Sequence, residues 1–147
     1  MPTTRVEARF HERKRIEFTA HERATINVRV ESADGGPLGF TSFELLLIAL
    51  ANCSMGVVMN HESLKRANVR GFTATLEGEP GMAPARLEKI TVRLDLDVEG
   101  GDERLQQTLQ RVAEACPVGN TLRSAPEIAI QLSVRDSGTV GAPAATG

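Results

Sequence analysis

The chain has 147 residues, 41% apolar and 24% charged, with a formal net charge of −2. That length fits one domain able to bury a core. The balance of 17 basic and 19 acidic residues excludes a polybasic nucleic-acid or membrane-surface binder, and five Phe with no Tyr or Trp leave base stacking poorly supplied.

The first third reads as strands. Thr3–Phe10 places Val6, Ala8 and Phe10 on one side, Lys14–Ala20 carries Ile16 and Phe18, and Ala24–Glu31 alternates through Ile26, Val28 and Val30. Period-two alternation means strands with one buried face. The polar segments at 11–14 and 21–23 are the expected hairpin turns, and Asp34–Gly39 is a breaker loop. A helix start follows, marked by Thr41 and Glu44 as a capping box, with Phe40 and Leu45 as its hydrophobic staple. The helix is expected to run to about Lys65 or Ala67, a length of about 37 Å. Its stretch from Leu45 to Met59 is apolar except around Asn52, Cys53 and Ser54, and is shorter than the roughly 20 apolar residues of a membrane span. A helix apolar on every side must be buried on every side. One small sheet covers one side, so a second copy is expected to cover the rest, as an obligate homodimer.

Strands are expected at Arg70–Gly78 and, after a turn at Glu79–Pro84, through Ile90, Val92, Leu94, Leu96 and Val98. Asp102 is the expected N-cap of a second helix, with Leu105, Leu109, Val112 and Ala113 on one stripe. That helix stops before Pro117, which itself opens a short third helix to about Ser124. A last strand is expected at Glu127–Arg135, through Ile128, Ile130, Leu132 and Val134. The order βββ-α-ββ-α-α-β, with helices in separated blocks, is α+β. Residues 1–135 form the domain and 136–147 a flexible tail. No signal region opens the chain, so the expected address is cytoplasmic.

Chemistry rests on few residues. Cys116 before Pro117 stands at a helix N-cap, where a thiolate is favoured; Cys53 stands in an apolar helix, where burial disfavours one. On local grounds Cys116 is the more reactive, and an inert core role competes for both. Glu44 is accounted for by the capping box. Three His-Glu pairs begin at His11, His21 and His61, without the second His of a metalloprotease helix; no metal site is expected.

The segment Ser42–Ser54, with Glu44-Leu45-Leu46 and Asn52-Cys53-Ser54, resembles the first-cysteine helix of the OsmC/Ohr family. Cys116-Pro117-Val118-Gly119-Asn120-Thr121-Leu122 resembles its second motif. The resemblance spans residues 3–135 and implies an intertwined homodimer with thiol peroxidase activity. It makes Cys53 the residue that attacks an organic hydroperoxide and becomes a sulfenic acid. Cys116 then closes a disulfide, which a small dithiol or a lipoylated protein reduces, with no bound cofactor. Family reductases support the first thiolate with an Arg held by a Glu. Here Glu44 stands one position nearer the cysteine than in those enzymes, and the Arg is Arg13, Arg15 or Arg23, with Arg13 preferred. The departure leaves a second reading: a dimer that binds an apolar ligand or senses oxidation without efficient turnover.

Overall fold

The N-terminal alternation forms an antiparallel sheet of β1 (Glu7–Phe10), β2 (Arg15–Ala20) and β3 (Arg23–Val28), in the order β1-β2-β3. This is a computed structural model, and it describes residues 2–28 and 39–138. The expected end of β3 beyond Val28, most of the 34–39 loop and the end of the tail lie outside those residues. Register decides the faces. Ala8 pairs with Phe18 and Phe10 with Ile16, so these share one face. Ile16 pairs with Asn27 and Glu17 with Ile26, so Ile26 looks out of the opposite face. The sheet therefore carries apolar side chains on both faces, a feature that alternation within single strands does not reveal. Asn27 is buried and tethers the sheet: Phe40 N–H donates to its Oδ1 at 2.8 Å, and its Nδ2 donates to Phe40 C=O at 3.2 Å.

Helix α1 (Ser42–Met59) starts where the capping box requires. Glu44 N–H donates to Thr41 Oγ1 at 3.2 Å, and Thr41 N–H donates to Glu44 Oε2 at 2.7 Å. The helix ends at Met59, short of Lys65, and a single 3-10 turn at Glu62–Leu64 follows, capped by His61. The expectation of a helix buried on every side is corrected for the single chain. Leu50, Ser54 and Val58 are buried on one stripe, while Phe43, Ile48 and Met59 remain exposed. One sheet and two short helices cannot wrap an all-apolar cylinder. By length and composition α1 could cross a membrane. Its buried stripe packs against the elements that follow, as in a core helix.

The second sheet is one long hairpin, β4 (Val69–Met82) and β5 (Ala85–Val98). The expected turn at Glu79–Pro84 shrinks to Ala83–Pro84. Pro80 lacks the N–H a ladder needs, and the chain absorbs it in a bulge between Glu79 and Pro80, after which pairing continues to Met82 and Ala85. Phe72 pairs with Leu96, Ala74 with Leu94 and Leu76 with Val92, giving an apolar inner face. Thr75, Glu77, Arg93 and Asp95 face outward. α2 (Glu103–Glu114) begins at Asp102, whose Oδ1 accepts from Leu105 N–H at 2.7 Å, and α3 (Pro117–Arg123) follows. The core is Val58, Leu64 and Leu109, with Phe72, Leu94, Leu96, Val98 and Leu105 packed around it.

The last expected strand is a further correction. Residues 125–137 form no ladder among the described residues, and Ile128, Ile130, Leu132 and Val134 are 78–88% exposed. The alternation is present but nothing pairs with it; a strand needs a neighbour to satisfy its backbone.

Candidate functional site

Two helices meet at the sulfurs. α1 carries Cys53 and Ser54 on successive positions, and the α2–α3 junction carries Cys116. Pro117 opens α3 at a position that needs no N–H, which leaves Cys116 as the N-cap with extended backbone. Its sulfur takes the part usually played by a capping oxygen: Gly119 N–H donates to Cys116 Sγ at 3.2 Å. A Cβ on Gly119 would lie 3.1 Å from that sulfur, so glycine permits the close approach. From α1 the Ser54 hydroxyl donates to Cys116 Sγ at 3.5 Å. Cys116 is 1% exposed and Ser54 3%. Both cysteines are free thiols; Cys53 is half-buried and close enough to Cys116 for each sulfur to act on the other's ionisation.

The two thiols are tuned in opposite directions. Burial pushes the Cys53 thiol up; a hydrogen bond with the Val118 backbone partly offsets this, and the neighbouring Cys116 adds to the rise. Burial also opposes ionisation of Cys116, but the Ser54 hydroxyl, the Gly119 N–H, the Cys53 thiol and the Arg123 charge outweigh it and hold Cys116 below the ordinary thiol value. The helix N-cap supplies one of these groups, the Gly119 N–H, while the larger one, the Ser54 hydroxyl, comes from α1, which local sequence reasoning about Cys116 does not reach.

Glu44 is engaged in the cap with Thr41. Arg13 lies exposed in the β1–β2 turn at φ 59°, Arg15 opens β2 and Arg23 opens β3. None of the three is among the groups acting on the Cys53 thiol. The cation that does reach a sulfur is Arg123, in the last turn of α3, oriented by Glu114 C=O at 2.8 Å and Asn120 Oδ1 at 3.4 Å. Sequence reasoning missed Arg123 and Ser54. The signals were a hydroxyl inside an apolar run, which needs a partner when buried, and a basic residue two helical turns after Cys116. Ser54, Cys116, Gly119 and Arg123 stand on the wall of a cleft of about 810 Å³ between α1, α2 and the β4–β5 sheet, lined on its apolar side by residues such as Leu94 and Leu109. No group of His, Cys, Asp and Glu among the described residues is arranged to hold a metal ion.

A family described as OsmC-like protein matches residues 33–131, which includes both cysteine segments. The chain belongs to the OsmC-like family. Its fold agrees with solved OsmC-like structures. The OsmC-like protein of Mycoplasma pneumoniae superposes with a TM-score of 0.70 at 16% identity, covering 84% of this chain and 89% of that one. A protein from Psychrobacter arcticus, described as an osmotic stress induced and detoxification response protein, gives 0.68 at 17% identity, covering 82% and 89%. An OsmC-like protein of unknown function from Vibrio cholerae gives 0.67 at 14% identity, covering 82% and 94%. At these identities the likeness is one of fold. Comparison with curated proteins yields no match.

Proposed function

We propose that this OsmC-like chain is a thiol-dependent peroxidase that reduces organic hydroperoxides as an intertwined homodimer. The observation that supports this reading is the meeting of two free thiols, Cys53 from α1 and Cys116 from the start of α3, near enough for each to act on the other's ionisation. The Cys53 thiolate attacks the terminal peroxide oxygen; the O–O bond breaks, an alcohol leaves after protonation, and Cys53 becomes a sulfenic acid. Cys116 attacks that sulfur, water leaves, and the disulfide closes. An external dithiol, free or on a lipoylated protein, returns both thiols as its own two thiols are oxidised to a disulfide, in a reducing compartment such as the cytoplasm.

The first step needs an ionised Cys53, and in one chain burial works against it. The missing cation is assigned to Arg13, Arg15 or Arg23 of a second copy, with Arg13 preferred and Glu44 as the carboxylate to orient it. The uncovered face of α1 gives that second copy a place to pack.

The deciding experiment follows peroxide loss with cumene hydroperoxide and a dithiol. Wild type turns over, and Cys53→Ser loses activity by roughly a thousandfold or more, as expected when a covalent nucleophile is removed. Equal rates for the two proteins would overturn the mechanism. The elevated Cys53 thiol and the open apolar cleft favour a second reading, an apolar-ligand-binding or redox-sensing dimer. That reading predicts stoichiometric oxidation or ligand uptake without turnover.

A further inference from the structure

The two sulfurs differ in access and in partners, and the difference bears on how the disulfide would be opened. We propose that Ser54 is a positioning residue for the reductive half of the cycle: it holds Cys116 as the leaving thiolate, so that an incoming thiol joins Cys53 and expels Cys116. The inference rests on the peroxidase reading for its Cys53–Cys116 disulfide.

Access comes first. Cys116 is 1% exposed beneath α1, whereas Cys53 is only half-buried. Partners come second. The Ser54 hydroxyl and the Gly119 N–H both donate to Cys116 Sγ, at 3.5 and 3.2 Å. Both donors are placed to receive a negative charge on that sulfur once the thiol form is regained. Ser54 lies inside an apolar helix stripe between Leu50 and Val58, and this sulfur is the side-chain partner its buried hydroxyl finds. In thiol–disulfide exchange the better-stabilised thiolate leaves faster, and a hindered sulfur is attacked more slowly. The same groups hold the Cys116 thiol down while burial holds Cys53 up.

The step balances. A thiolate of the external reductant attacks Cys53 Sγ, the new S–S bond forms, the Cys53–Cys116 bond breaks, and the electron pair leaves on Cys116. A second thiolate then takes the reductant's sulfur away as its disulfide, and both cysteines are reduced.

The test uses the full chain oxidised with diamide, with disulfide formation checked by intact mass. A monothiol such as 2-mercaptoethanesulfonate is added, the reaction is quenched in acid, and free thiols are alkylated before peptide mapping. The expected result is the mixed disulfide on Cys53 and the alkyl group on Cys116; the reverse placement overturns the proposal. Ser54→Ala should slow thiol reduction of the disulfide about fivefold, the effect of losing one hydrogen bond on the leaving sulfur. It should also move the pH midpoint of Cys116 ionisation upward, read from thiolate absorbance. Unchanged rate and midpoint would overturn the role of Ser54. A disulfide that forms with diamide but not with a hydroperoxide overturns the peroxidase reading and the place of this step in its cycle, while the order of thiol attack is still decided by the mapping. Failure of diamide to form it removes both.

Discussion

The β4–β5 hairpin lays its apolar face on α1 and α2, whereas among the described residues the β1–β3 sheet packs on neither helix to a comparable extent. The hairpin has a core of Val58, Leu64 and Leu109 beneath it. The β1–β3 sheet exposes Phe10 on one face and Ile26 on the other and is held to the start of α1 by the side chain of Asn27. Both sheets have the alternation that signals a buried face. Among the described residues only one finds its cover. The difference is the one expected of the proposed homodimer, in which a second copy would cover what a single chain of 147 residues leaves over. α1 lies on the boundary: one stripe serves the hairpin, and the rest is left over.

The sharpest way to break this comparison is to measure mass. Light scattering should give about twice the 15.8 kDa of one chain. A folded particle at the single-chain mass would mean that the N-terminal sheet is stable with its apolar residues in water. Next comes Leu109→Ala, which opens a cavity in the covered half and should cost about 2–5 kcal/mol in denaturant unfolding. A much smaller loss would show that the two halves are not so different. Asn27→Ala should cost about 1–3 kcal/mol, since it leaves the Phe40 N–H and C=O without their partner. If the tether governs the N-terminal sheet, hydrogen exchange there should rise more than in β4–β5. The smallest effect should come from His21→Gly. His21 sits at φ 56° in the two-residue β2–β3 turn, where glycine is at ease, so a gain of up to about 1 kcal/mol is expected. A loss instead would mean that the imidazole makes a contact in the assembled protein.

Much of this was legible in the residues. Thr41 with Glu44, Asp102, and Cys116 before Pro117 each marked a helix start, because capping is local chemistry. The alternation of β4 and β5 survived because each strand's partner lies next to it in sequence. The end of α1 was misjudged because the polar run at 60–63 reads equally well as a solvated last turn, and no Gly or Pro marks the stop. The strand at 127–135 was misjudged for a different reason. Its sequence encodes strand-forming side chains, but a strand also needs an edge to join, and the tract pairs with none of the described strands. At the site, motif spacing brought Cys53 and Cys116 to attention. Ser54 and Arg123 escaped because each gains meaning only through its neighbour in space.

The extended tract from Ile128 to Val134 also bears on the life of the chain before assembly. Unpaired backbone beside alternating Ile, Leu and Val is a template for any β-edge it meets. Pro126 and Glu127 precede it, and Arg135 and Asp136 follow it, so proline and charges bracket the sticky residues as gatekeepers. If the proposed homodimer pairs this tract, newly made chains face a race between that docking and indiscriminate pairing. Slow synthesis, low temperature and intact flanking charges should favour soluble yield.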